Sequence, residues 1–78
     1  MYLTIVSPEK ILYEGEATVV AVPGTKGAFE VLDNHAPIIS SLQEGTIVAK
    51  HDCAQEEISI TSGFIEVADN KVSICVEV

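Results

Sequence analysis

The chain has 78 residues, with 12 acids against 4 bases and a formal net charge of -8. All four bases are lysines, so no guanidinium is present to fork onto guanine or clamp a phosphate, which argues against a nucleic-acid partner. A chain of this length makes one domain, spanning residues 1–78, and leaves no room for a two-domain enzyme.

Hydrophobic residues form 47% of the chain, yet no run approaches the ~18 to 20 apolar residues of a membrane span, and the expectation is a soluble protein with no direct membrane insertion. Met1 to Val6 lacks the basic stretch and cleavage site of a secretory signal, so Cys53 and Cys75 read as reduced thiols of an unexported protein. Ser7-Pro8-Glu9-Lys10 is a turn, followed by the apolar pair Ile11-Leu12. β-Branched residues crowd Ala17 to Val22 and predict a strand, closed by the turn Val22-Pro23-Gly24-Thr25-Lys26-Gly27. Asp33 to Pro37 is a loop. From His35 to Leu42 a single helical turn competes with extended chain, and Pro37 with the β-branched Ile38-Ile39 favours the extended form. Glu44-Gly45 turns the chain into a strand at Thr46-Ile47-Val48. His51 to Gln55 is another turn, Glu57 to Thr61 alternates as a strand, and Ser62-Gly63 reads as a turn before Ile65-Glu66-Val67. After Asp69-Asn70-Lys71, the run to Val78 sets Val72, Ile74, Val76 and Val78 on one face, and Lys71, Ser73, Cys75 and Glu77 on the other.

Strands at intervals of roughly 8 to 12 residues predict an all-β protein, an antiparallel two-sheet β-sandwich. Ile11-Leu12, Val19-Val20, Ile38-Ile39 and Ile47-Val48 carry apolar residues on both faces. A sandwich has one interior, so their outward members are either covered by another protein or buried locally at bulges.

No residue pattern recommends catalysis, a cofactor or a metal. His35 near Asp33 lacks a nucleophile, and a loop histidine commonly hydrogen-bonds backbone. His51-Asp52-Cys53 offers three metal-ligand types, but adjacent residues do not readily converge on one ion. Gly24-Thr25-Lys26-Gly27 lacks P-loop spacing, and its glycines are expected to supply positive φ values. Thr61-Ser62-Gly63-Phe64 lacks the setting of a nucleophile elbow.

The loops carry more information when taken in order. Ser7-Pro8-Glu9, Pro23-Gly24-Thr25-Lys26-Gly27-Ala28-Phe29-Glu30-Val31-Leu32, Asn34-His35-Ala36-Pro37-Ile38-Ile39-Ser40, Gly63-Phe64-Ile65-Glu66-Val67 and Asn70-Lys71-Val72 together resemble the N-terminal β-sandwich of the epsilon subunit of rotary F-type ATP synthases, over essentially the whole chain. The resemblance implies a non-catalytic central-stalk component that links the gamma subunit to the c-ring and couples proton flow to ATP synthesis. It implies a place on the cytoplasmic side of the bacterial plasma membrane, held there through the complex. By position, Ser7, His35, Ile38, Ile39 and Ser40 fall where that family meets gamma. Thr25, Lys26, Gly27, Ala28 and Glu30 fall where it faces the polar loops of the c-ring. Many relatives carry a carboxylate at the position of Ala28, which leaves Glu30 and Asp33 as the nearest acids. Typical members also continue into a regulatory helical hairpin, whereas this chain stops at Val78, so the expectation is a sandwich without that hairpin. The rival reading is a lipoyl- or biotinyl-type carrier domain with Lys71 as the modified residue.

Overall fold

The computed structural model describes all residues from Met1 to Val78. Nine strands run in chain order: β1 Tyr2–Val6, β2 Ile11–Glu16, β3 Val19–Val22, β4 Phe29–Leu32, β5 Ile38–Leu42, β6 Gly45–His51, β7 Ala54–Ile60, β8 Ser62–Ala68 and β9 Lys71–Glu77. They form a five-stranded sheet in the order β2-β1-β9-β8-β5 and a four-stranded sheet in the order β4-β3-β6-β7. The two-sheet sandwich expected from the alternation is present. It is not wholly antiparallel, because β1 and β9 pair in parallel with Leu3 opposite Val72 and Ile5 opposite Ile74.

Period-two alternation sorts each strand between interior and exterior. The five-stranded sheet sends Leu3, Ile5, Ile65, Val67, Val72, Ile74 and Val76 inward, and the four-stranded sheet answers with Val20, Val22, Val31, Ile47, Ala49 and Ile60, all buried. Each fully buried aliphatic side chain contributes roughly 1.5 to 3 kcal/mol by its removal from water. No polar side chain is buried among them.

Three local readings are corrected. Ser62-Gly63 is not a turn: β7 ends at Ile60, Thr61 alone makes the junction, and both residues already lie in β8. The reason is close packing. A Cβ on Gly63 would sit 2.5 Å from the Cys75 carbonyl oxygen and 3.1 Å from a Val76 methyl, so the glycine admits the neighbouring strand instead of bending the chain. Val78 lies beyond the end of β9 and is 69% exposed, unlike Val72, Ile74 and Val76. Ala17 and Thr18 form the corner between the sheets and precede β3.

The corner is pinned by directional bonds. Ala17 N donates to Met1 O at 2.9 Å and Thr18 N to Lys50 O at 2.8 Å. The terminal ammonium of Met1 donates to Ala17 O at 3.1 Å and to the Asp33 carboxylate, with Glu16 at 3.7 Å. Hydrogen bonding to Asp33 raises the pKa of this ammonium; burial opposes the rise, and the charges of Asp33 and Glu16 add to it.

Two outcomes follow from these contacts. A group whose pKa is raised on folding contributes its stability in full below its unfolded pKa and loses it as pH rises through the folded value. The stability of this chain should therefore fall from about pH 8 upward, and Asp33→Asn should flatten that fall; urea midpoints from about pH 7 to 9.5 test this before tyrosine ionisation intervenes. Gly63→Ala should destabilise by about 2 to 3 kcal/mol, while the exposed neighbour change Ser62→Ala stays within about 0.5 kcal/mol; both are read from urea unfolding.

Candidate interaction surfaces

The outer face of the five-stranded sheet follows from the register. Val6 pairs with Ile11 across β1 and β2, and with Cys75 across β1 and β9. Cys75 pairs with Phe64, and Phe64 with Ser41. All of these side chains point away from the core, so an apolar row, Ile11–Val6–Cys75–Phe64, crosses four strands and ends at Ser41. Ile11 is 59% and Phe64 53% exposed. A groove of about 410 Å³ lies along this row, lined by Val6, Pro8, Phe64, Cys75, Val76 and Glu77.

The next row is polar and acidic: Glu14–Thr4–Ser73–Glu66, ending at Ile39 on β5. Ile39 is 75% exposed, the most of any large hydrophobic side chain. A second concavity beside it is lined by Pro37, Ile38, Ile39, Glu66, Val67 and Ala68.

The five residues assigned to gamma divide between inside and outside. Ile39 faces solvent, whereas Ile38 is half-buried and packs against the core. Ser40 also lies on the inward side of β5, half-buried, with its hydroxyl donating to Ser41 O at 3.1 Å. Ser7 caps the turn after β1, donating through its amide to Lys10 O at 2.9 Å and through its hydroxyl at 3.3 Å. His35 is half-buried in the loop before β5, its Nδ1 2.6 Å from Ala36 O. Asp33, the carboxylate closest in sequence, is engaged by the Met1 ammonium. Ser7 and Ile39 stand on β1's end and β5, three strand spacings apart, or roughly 14 Å. A partner touching both must cover the row between them.

Ile11 belongs to one of the two-faced apolar pairs read from the sequence, whereas nothing in the sequence marks Val6, Phe64 or Cys75 as interface residues. The alternation of β8 and β9 already turns Phe64 and Cys75 outward. Their alignment with Val6 depends on the parallel β1–β9 pair, which no local pattern announces.

Thr25, Lys26, Gly27, Ala28 and Glu30 are all exposed, the first four in the β3–β4 loop and Glu30 on β4. Gly27 has φ 126, as expected for a turn glycine. Gly24 does not share that role: a Cβ there would lie 2.7 Å from Gly27 O and 2.9 Å from the Phe29 ring, so lack of space demands the glycine. Gly27 N donates to Gly24 O at 3.0 Å and closes the turn.

A third concavity, of about 480 Å³, gathers Glu14, Glu16, Asp33, Asp52 and Glu56 around Tyr13 and His51. The Tyr13 and His51 rings stand 5.8 Å apart, tilted by 54°. Burial, then the charges of Glu56, Asp52 and Glu16, raise the Tyr13 pKa. No group of three or more His, Cys, Asp or Glu side chains is arranged to hold a metal ion. Lys71 pairs with Ala68 on one side and Tyr2 on the other, within the ladder of β9. The lysine of the carrier reading therefore closes the two-residue turn Asp69-Asn70 as the first residue of β9 and is not one of the turn residues.

Comparison with known proteins gives one consistent match. The family described as "ATP synthase, Delta/Epsilon chain, beta-sandwich domain" matches residues 1–78. The ATP synthase epsilon chain of Leptospira borgpetersenii serovar Hardjo-bovis is 46% identical over 72 residues, 92% of this chain and 57% of that relative. The epsilon chain of Chlorobium limicola is 36% identical over 76 residues, 96% of this chain and 86% of that one. The chain thus spans little more than half the length of the first of these. Among solved structures, a chain of the Euglena gracilis mitochondrial ATP synthase, in its OSCP/F1/c-ring assembly, shares the fold with a TM-score of 0.88 at 21% identity, over 95% of this chain and 48% of that one. With the sandwich matched over all its strands, the chain belongs to the ATP synthase delta/epsilon β-sandwich family.

Proposed function

We propose that this chain is the sandwich of an ATP synthase epsilon subunit, a non-catalytic part of the central stalk of a proton-translocating F-type enzyme. It binds gamma through the outer face of its five-stranded sheet and presents the β3–β4 loop to the polar loops of the c-ring. Its working place is the cytoplasmic side of the bacterial plasma membrane, where it is held by the complex and does not enter the bilayer.

The observation that carries this reading is the outward apolar row Ile11–Val6–Cys75–Phe64 with Ile39 beside it, in which Ile11, Phe64 and Ile39 are exposed and Val6 and Cys75 half-buried, on a molecule that already has its own core. Exposed apolar side chains in a contiguous row mark a surface built for a partner. A lasting partner suits them, since permanent interfaces resemble cores cut in half. The exposed loop residues Thr25 to Ala28 begin where Thr25 meets Ser41 at the end of that row, which lets one rigid body touch two partners. Lys26 sits at the loop tip, and Glu30 lies outward on β4 as the nearest acid for a basic ring loop.

The interface prediction separates the two members of the isoleucine pair. Ile39→Asp and Phe64→Asp should each weaken co-elution with co-expressed gamma by about ten-fold or more while the sandwich stays folded, because neither side chain is part of the core. Ile38→Asp should instead unfold the sandwich, because its side chain packs on the core. Retention of gamma binding by both outward variants would place the interface elsewhere. Intact-mass measurement of the native protein, copurified with the rotary complex, should show no lipoyl or biotinyl adduct on Lys71; such an adduct would overturn the stalk reading in favour of a carrier.

A further inference from the structure

The β3–β4 loop does not hang free from its hairpin. Residues Pro23 to Thr25 run antiparallel to Ser41 to Gln43, at the outer edge of β5. Gly24 and Leu42 form the bridge between them. Gln43 N donates to Pro23 O at 2.9 Å, and Thr25 N donates to Ser41 O at 3.1 Å. The hydroxyls of Thr25 and Ser41 close the contact at 2.7 Å. This is a three-residue ladder joining a loop of the four-stranded sheet to the edge strand of the five-stranded one. It is tight at its centre, where Gly24 has no room for a side chain.

We propose that the Thr25–Ser41 pair is a positioning joint: it fixes the β3–β4 loop relative to the outer face of the five-stranded sheet, so that a load on one surface is passed to the other. This rests on the reading of the two surfaces given above. The physical argument concerns direction. Apolar packing between two sheets is non-directional and does not by itself fix an exposed loop against a sheet edge. Hydrogen bonds have preferred angles and resist sliding. One edge of the sandwich is bonded across at the Met1–Ala17 corner. The edge strand β5, which carries Ile39, is bonded across to Pro23–Thr25. Ser41 follows Ile39 by two residues and ends the row that contains Phe64. The strand proposed to meet gamma therefore carries the anchor of the loop proposed to meet the ring. Both hydroxyls are exposed, so the joint contributes little to folding and its loss leaves the core intact.

The test has two arms. In the isolated chain, Ser41→Ala should speed hydrogen exchange of the Thr25 and Gln43 amides by about five-fold, with the β8 and β9 amides unchanged, and Ser41→Thr should restore protection. In reconstituted ATP synthase, Ser41→Ala should lower the protons pumped per ATP hydrolysed, and Ser41→Thr should recover them. Unchanged exchange at Thr25 would overturn the joint outright. Faster exchange with an unaltered pumping ratio would overturn its role in transmission. Failure of gamma binding to respond to Ile39→Asp would strike the surface assignment alone, because the exchange arm needs no partner.

Discussion

The parallel pairing of β1 with β9 is the contact on which the rest of the sandwich depends. It joins Tyr2 to Lys71, nearly the full length of the chain, and sets Leu3, Ile5, Val72 and Ile74 side by side in the centre of one sheet. Loop-closure entropy grows only slowly with length, so closing the whole chain costs little more than closing half of it. Four side chains taken almost wholly out of water offset that cost. The same pairing has an external consequence. It brings Val6 against Cys75 on the far face, and so joins Ile11 on one side to Phe64 on the other. One register thus serves the interior and builds the exposed row.

Much of this fold is legible in the sequence because alternation is local. The run Lys71 to Glu77 shows both its faces without reference to any neighbour, and the turns at Asp69-Asn70 and Pro23-Gly24 announce themselves by residue type; Asp69 and Asn70 do take positive φ values. What stays hidden depends on partners distant in the chain. Ser62-Gly63 resembles a turn until β9 is seen lying against it, when the missing Cβ becomes a requirement of strand packing. Ile38 and Ile39 are alike as residues, and only the pairing of Ile38 with Val67 and of Ile39 with Glu66 decides which one faces the core. Val78 continues the apolar alternation but has no ladder to hold it. On the surface side, the exposed β3–β4 turn is legible from its residue types, whereas the joining of Phe64 and Cys75 to Val6 and Ile11 in one row needs the register of the strands.

The apolar pairs present two possibilities in the sequence, exposure or local burial at bulges, and the structure realises both. At Ile11-Leu12 the register shift between Ile5 and Val6 half-buries Leu12 and leaves Ile11 outside. On the four-stranded sheet Val19 and Val48 are half-buried on the outer side, shielded in part by their neighbours. That sheet also shows Leu32, 53% exposed beside Val19, but the row stops at Lys50, whereas on the five-stranded sheet the apolar row crosses four strands. The two outer faces are therefore not equivalent, and this asymmetry is what the proposed assignment of one side to a permanent partner rests on.

Charge sharpens that side. The apolar row is flanked by Glu14 and Glu66 in the adjacent row and by Glu77 at the groove. Carboxylates beside an apolar strip keep two copies of this chain from pairing face to face, because like charges would meet as the strip closed. A partner bearing lysine or arginine at the rim meets no such penalty, and its association is steered by the net charge of -8. The excess of acid thus acts on specificity more than on affinity. Under the function proposed above, it disfavours pairing of two copies through the apolar surface and favours a basic-rimmed partner.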